Sequence, residues 1–261
     1  MLCVVDVGNT HTVVGLYEGE RLLQHFRLRT SASRTADEWG GTLNTLFLLK
    51  NIDFDSVTAA AIASVVPTAT SAVAQACRCY FGVDPLIVGP GVRTGLPIRY
   101  ENPREVGADR VVNAVAGFHM VKEACIVVDF GTATTFDCIS GAGEYLGGVI
   151  TPGIGTSLDA LATRTAKLPR VEVGKPRHAI GRNTVESIQS GVIYGYTAMV
   201  DGLVKRLRSE MGVDARVIAT GGLAGVIAEE STTINEVCPD LTLEGLRLIF
   251  NLNRSEIHSQ K

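Results

Sequence analysis

Two segments of this chain carry the same arrangement of chemically useful residues: Val4-Val5-Asp6-Val7-Gly8-Asn9-Thr10-His11-Thr12-Val13 near the start, and Val127-Val128-Asp129-Phe130-Gly131-Thr132-Ala133-Thr134-Thr135 near the middle. Each is a β-branched run that ends in Asp-x-Gly and continues into small hydroxyl residues. That pattern predicts a buried strand followed by a tight turn whose backbone N–H groups point outward, a geometry suited to phosphate. In the first turn Gly8, Asn9 and Thr10 offer donors and Asp6 a carboxylate for a hydrated Mg²⁺. In the second, Thr132 offers a hydroxyl and Asp129 a carboxylate for a cation. An uncompensated carboxylate at a buried strand end is costly, so a metal or an N–H cluster is expected to answer each one. A repeat of this kind predicts a duplicated domain with a nucleotide held between the halves.

A third segment, Tyr100-Glu101-Asn102-Pro103-Arg104-Glu105-Val106-Gly107-Ala108-Asp109-Arg110, also carries chemistry. Gly107 permits an unusual turn, Asp109 falls at a helix start, and Arg110 presents a planar fork for a carboxylate or phosphate. Taken alone, Asp109 is equally a cap for the helix that follows through Phe118. The Gly-Lys-Ser/Thr ending of a P-loop is absent from the chain, so phosphate has to be held by turns and hydroxyls.

The elements that position these residues can be read from periodicity. Strands are expected at 2–7, 12–17, 22–29, 58–65 and 86–88, the first three forming an antiparallel meander. Thr35-Ala36-Asp37-Glu38 is a capping box opening a helix with Trp39, Leu43, Leu46 and Phe47 on one face. The order recurs with strands at 125–130, 134–139 and 145–150 around a Gly141-Ala142-Gly143 turn. Asn183, with Glu186 three residues on, caps a long helix whose stripe is Val185, Ile188, Val192, Tyr196, Met199, Leu203 and Leu207. Gly191 and Gly195 lie on that helix at a spacing that lets another backbone approach. A helix of about 28 residues is long for so small a domain, which points to a subunit interface. The expected boundaries are an N-terminal domain over 1–117, a C-terminal domain over 118–253 and a polar tail over 254–261.

Composition narrows the class. At 261 residues, 46% hydrophobic and 20% charged, the chain is long enough for two cores, and disorder is excluded. A net charge of −3 gives no global electrostatic footprint for nucleic acid. The six cysteines, at 3, 77, 79, 125, 138 and 238, show no zinc spacing and read as reduced core residues of a cytoplasmic protein. Leu2 enters a strand without a basic leader, and the weakly polar run from Val57 to Ala76 is broken by Pro67, so neither secretion nor a membrane span is expected. The basic residues Lys167, Arg170, Lys175, Arg177 and Arg182 read as a solvated loop face, or as a means of concentrating anionic substrates.

Asp-Val-Gly-Asn-Thr, Gly-Ala-Asp-Arg, Asp-Phe-Gly-Thr-Ala-Thr-Thr and Gly147-Gly148-Val149-Ile150-Thr151-Pro152-Gly153, in that order and spacing, resemble the type III pantothenate kinases of the acetate and sugar kinase, Hsp70 and actin superfamily. The resemblance covers residues 1 to 253. It implies two actin-like (ribonuclease H-like) mixed α/β domains, an active site in the cleft between them, a homodimer that completes that site, and ATP-dependent phosphorylation of pantothenate, the first step of coenzyme A synthesis. It also implies residue roles. ATP phosphates would lie against Asp6, Val7, Gly8, Asn9, Thr10, His11, Thr12 and Val13, and at Thr132. Pantothenate would meet Tyr100, Gly107, Ala108, Asp109, Arg110 and Thr184. Asp109 would be the catalytic base, Asp129 would hold K⁺ or NH₄⁺, and Mg²⁺ would accompany the nucleotide through Asp6. Another phosphotransferase of the superfamily, or an accessory regulator, is the alternative.

Overall fold

The computed structural model describes the backbone of residues 1–257, and side chains as far as Arg254. The last four positions of the expected tail therefore lie outside the described residues. Chain contacts divide the molecule into two units, one formed by residues 1–96, 101–116 and 242 onward, the other by 97–100 and 117–241.

In the first unit β1 (Leu2–Val7), β2 (His11–Glu18) and β3 (Arg21–Arg29) form the expected antiparallel meander. After α1 (Ala36–Leu49), β4 (Ala59–Ser64) returns parallel to β1, and α2 (Pro67–Ala76) leads to the short β5 (Leu86–Ile87). The sheet order is β3-β2-β1-β4-β5. α1 starts where its capping box demands: the Thr35 hydroxyl accepts from Glu38 N–H, and the Glu38 carboxylate accepts from Thr35 N–H at 2.7 Å. Such caps contribute about 1 kcal/mol each. The helix then lays Trp39, Leu43 and Phe47 onto Val5, Val7, Val14, Leu16 and Phe26, all buried. Phe47 is the hub, with ring centres 5.9 Å from Phe26 and 5.3 Å from Phe54.

The second unit follows α3 (Ala108–Val121) with β6 (Cys125–Phe130), β7 (Ala133–Ile139), β8 (Tyr145–Pro152), α4 (Ile154–Arg164), the 28-residue α5 (Thr184–Met211), β9 (Arg216–Thr220), α6 (Ala224–Ala228) and β10 (Glu236–Val237). Its order, β10-β9-β6-β7-β8, is the first sheet's order read from the other edge, with β6 antiparallel to β7 and parallel to β9. The duplication seen in two short motifs thus extends to whole sheets. Ile126, Val128, Phe130 and Phe136 pack against Ile193, Val200 and Val204 of α5.

Two details differ from the sequence expectation. The expected stripe of α5 packs against the core through Ile188, Val192, Tyr196, Met199, Leu203 and Leu207, with Ile193, Val200 and Val204 buried beside it, whereas Val185 is 43% exposed. The final helix, α7 (Leu241–Ile257), belongs with the first unit and not with the C-terminal half. Leu243 packs at Gly15 of β2, Gly245 lets α7 close onto the Val112 backbone, and the Thr242 hydroxyl donates to buried Asn113 at 2.7 Å.

Candidate active site

In the first turn, Val7 pairs with Thr12, and Gly8 N–H closes the hairpin on the His11 carbonyl at 3.0 Å. Thr30, just past β3, braces it. Its N–H donates to the Thr10 carbonyl at 3.0 Å, its hydroxyl donates to the Gly8 carbonyl at 2.7 Å, and the same hydroxyl lies 2.9 Å from that of buried Thr12. With the Gly8 and Thr10 carbonyls held by Thr30, the turn presents N–H and hydroxyl groups, the polarity an anion requires. Asn9, Thr10 and His11 are exposed, while Asp6, Gly8 and Val13 are half-buried. A single carboxylate at a strand end fits a Mg²⁺ that keeps most of its water.

The second turn is the same device shortened by one residue, since Phe130 pairs with Thr134 and Gly131 N–H bonds to the Ala133 carbonyl at 3.1 Å. Exposed Thr132 is anchored through its carbonyl, which accepts from Gly153 N–H at 3.1 Å and from the Thr156 hydroxyl at 2.7 Å. The start of α4 therefore fixes this turn, as Thr30 fixes the first. Behind it, Asp129 shares a rung with Thr135 and Thr220. Gly221, at φ +92°, lets the Asp129 carboxylate and the Phe130 carbonyl come close to its backbone and to one another: a Cβ there would lie 2.6 Å from Asp129 Oδ1 and 2.7 Å from Phe130 O. A carboxylate and a carbonyl oxygen side by side, with one formal charge between them, fit a monovalent cation better than a dedicated divalent site. Among the described residues no cluster of three His, Cys, Asp or Glu side chains forms a metal site.

Asp109 sits in the first turn of α3. The Gly107 carbonyl accepts from Val111 N–H at 3.1 Å, so Gly107 opens the helix and Asp109 lies inside it. Asp109 Oδ1 accepts from Arg110 N–H at 2.8 Å and folds back so closely over Gly107 that a Cβ there would be 2.5 Å from it. Burial pushes the Asp109 carboxyl above the usual carboxylate range, against the opposing pull of the Arg110 N–H and of the Arg110 charge. Ala108 is half-buried and Arg110 buried. Val65 ties this helix start to the first turn: its N–H bonds to the Val7 carbonyl at 3.1 Å, and its side chain is 3.7 Å from the Gly107 Cβ position.

Tyr100 ends a short segment that joins the second unit. Ile98 bridges to Tyr145, Arg99 N–H donates to the Tyr145 carbonyl at 2.8 Å, and Tyr145 N–H donates to the Pro97 carbonyl at 2.9 Å. Tyr145 is wholly buried, its ring 6.4 Å from that of Tyr100, and its hydroxyl donates to the equally buried Asp137 carboxylate at 2.8 Å. The Arg99 guanidinium meets Glu144 at 2.6 Å. Exposed Thr184, first residue of α5, lines a groove of about 700 Å³ with Ser157, Leu161, Arg182, Ile188 and Tyr196. The Asn183 cap forms as expected, accepting from Glu186 N–H at 2.9 Å.

The sequence-derived site residues thus divide by unit: Asp6–Val13 and Gly107–Arg110 in the first, Tyr100, Asp129, Thr132 and Thr184 in the second. Thr30, Thr156, Gly221 and the Asp137–Tyr145 pair were not legible as site components. Each is an isolated residue or pair whose importance comes only from what folding brings beside it. In the basic segment Lys175 is paired with Glu230 at 2.5 Å. Of the cysteines, Cys79 is exposed and Cys238 half-buried, while the other four are buried, and none is in a disulfide.

A family model described as type III pantothenate kinase matches residues 2–206. The chain is 53% identical over 255 residues to a type III pantothenate kinase of Myxococcus xanthus, covering 98% of this chain and all of the relative. It is 56% identical over 254 residues to one of Anaeromyxobacter sp. strain Fw109-5, covering 97% of this chain and all of the relative. Solved structures share the fold at low identity. A Campylobacter jejuni protein proposed as a Baf family transcriptional activator matches at 18% identity and TM-score 0.61, over 97% of this chain and 99% of its own. The activator of 2-hydroxyisocaproyl-CoA dehydratase from Clostridium difficile, with bound ADPNP, matches at 13% and 0.54, over 100% and 98%. The fold is that of the actin-like kinases and ATPases.

Proposed function

Because this chain belongs to the type III pantothenate kinase family, and so phosphorylates pantothenate at the expense of ATP in coenzyme A biosynthesis, we propose that Asp109 is the general base of that reaction. The observation that carries this assignment is the Asp109 carboxylate itself, held in the first turn of α3, raised in pKa by burial, and tied through Val65 to the Asp6–Gly8 turn. A primary alcohol is far too weak an acid for a carboxylate to ionise in advance. Asp109 therefore orients the pantothenate hydroxyl and takes its proton late, as the new bond to phosphorus makes that oxygen acidic.

The remaining residues serve positioning and charge. The Asp6–Val13 turn and Thr132 hold the ATP phosphates. Tyr100, Gly107, Ala108, Arg110 and Thr184 hold pantothenate, with the Arg110 guanidinium matched to its carboxylate. When bound, Mg²⁺ at Asp6 and K⁺ or NH₄⁺ at Asp129 neutralise phosphate charge. The enzyme acts as a homodimer through α5, where a Cβ on Gly191 or Gly195 would meet no neighbour within 4 Å. Its place is the cytoplasm; no helix among the described residues is long and apolar enough to cross a membrane.

The test is Asp109→Asn, which keeps size and polarity but removes the proton acceptor. Turnover should fall roughly 10²- to 10⁴-fold while nucleotide binding and melting temperature hold. Near wild-type turnover would return Asp109 to a helix-start role.

A further inference from the structure

We propose that Arg27 and Arg29, on the edge strand of the first sheet, bind the phosphate chain of the nucleotide alongside the Asp6–Val13 turn. This rests on the assignment of that turn to ATP phosphates and adds two residues to it. The sheet register sets the placement: Asp6 pairs with Val13 and Val13 with Arg27, while His11 pairs with Arg29. Directly paired residues share a face, so Arg27 and Arg29 lie on the Asp6 side of the sheet, and Phe26 and Leu28 alternate into the core on the other. A pocket of about 500 Å³ is lined by Thr10, His11, Arg27, Leu28 and Arg29, with no acidic side chain among them.

Charge gives this pocket its purpose. A triphosphate is strongly anionic, the neighbouring Asp6 adds a further negative group, and the segment Asp6–Val13 contains no Lys or Arg. A P-loop solves the same problem with its lysine, which this chain lacks. Arg27 and Arg29 form no ion pair with any described residue, whereas Arg78, Arg99, Arg208, Arg216 and Arg247 each meet a carboxylate. Two uncompensated guanidinium forks beside Thr10 and His11 match phosphate oxygens in charge and in planar geometry. The pantothenate carboxylate is the competing anion. The pocket's continuity with the turn residues Thr10 and His11 favours the nucleotide.

The experiment measures binding of a non-hydrolysable Mg-ATP analogue by calorimetry, together with KM for ATP and for pantothenate, in Arg27→Gln, Arg29→Gln and the double variant. The double variant should bind the analogue about tenfold more weakly and raise KM for ATP comparably, the scale of a pair of partly exposed charge-assisted bonds. KM for pantothenate and the melting temperature without ligand should hold. Arg27→Lys should recover part of the affinity, and Arg21→Gln, at the far end of the same strand, should change nothing. Unchanged analogue binding in the double variant, where Asp6→Asn does weaken it, would overturn the proposal and leave the turn assignment standing. Unchanged binding in all of them would overturn both. A rise confined to KM for pantothenate would give the pocket to the acid and refute the proposal.

Discussion

Tyr145→Phe isolates the contribution of one buried hydroxyl to substrate binding. The variant keeps the ring, the bridge to Ile98 and the two backbone bonds that carry Pro97–Arg99, and it deletes only the O–H that donates to Asp137 at 2.8 Å. Tyr145 and Asp137 are both 0% exposed. Water therefore cannot readily replace the lost donor. Removing one partner of a buried hydrogen bond costs about 1–3 kcal/mol, so the folded state should lose about 2 kcal/mol and the melting temperature about 4–8 °C. The Tyr145 ring, no longer tethered, stops fixing the Tyr100 ring beside it, and Tyr100 is the proposed pantothenate contact. KM for pantothenate should rise about 3- to 10-fold, with kcat and KM for ATP within about twofold of wild type, because the lost restraint is worth only about 1 kcal/mol at the substrate. Steady-state kinetics in both substrates, paired with thermal melts, read these quantities. Tyr100→Leu sets the scale and Asp137→Asn, which retains an acceptor oxygen, should fall between. A lowered melting temperature with an unchanged KM for pantothenate would refute the coupling and leave Tyr145 purely structural.

Asp201 on α5 accepts from the Ser231 and Thr233 hydroxyls and from both the hydroxyl and the N–H of Thr232; burial disfavours its charge, yet these bonds outweigh burial and hold its pKa at about 2. A depressed carboxylate stabilises the fold above its unfolded pKa, so Asp201→Asn should cost about 1–2 kcal/mol at pH 7, and its deficit in denaturant melts should vanish as pH falls from about 4 to 2. Asp109, raised by burial, must be ionised to act as base, so kcat/KM should decline with acid along a limb lying above the usual carboxylate value, and that limb should be missing from the residual activity of Asp109→Asn. Mixing Asp109→Asn with Thr184→Ala subunits should restore activity if Thr184 serves the partner's site, since some sites then carry both wild-type residues; failure after confirmed subunit exchange would assign Thr184 to its own chain.

Much of the molecule was legible because local chemistry and tertiary structure agree. The capping box at Thr35 and the side-chain cap at Asn183 fix two helix starts, and the Asp-x-Gly strand ends mark both turns of a repeat that the matched sheet orders extend. Elsewhere the deciding partner is remote in the chain. Nothing around Leu243 announces that α7 packs on Gly15 of β2, and the apolar stripe read on α5 does not include Ile193, which is wholly buried in the core. Thr30 is an ordinary threonine until β3 delivers it to Gly8 and Thr10. Asp137 is one polar residue in an alternating strand, and only the fold sets the Tyr145 hydroxyl upon it. Single buried polar partners leave no spacing signature, whereas repeated turns and caps do.

The central claim is most directly tested by following, with the purified protein, the phosphorus NMR spectrum of ATP and pantothenate in potassium buffer and in sodium buffer of equal ionic strength. Stoichiometric 4′-phosphopantothenate and ADP should form in potassium, and much more slowly in sodium, if the Asp129 carboxylate and Phe130 carbonyl hold a monovalent cation as proposed. ATP cleavage to free phosphate at a rate indifferent to pantothenate, with no phosphate ester formed in either buffer, would contradict the central claim.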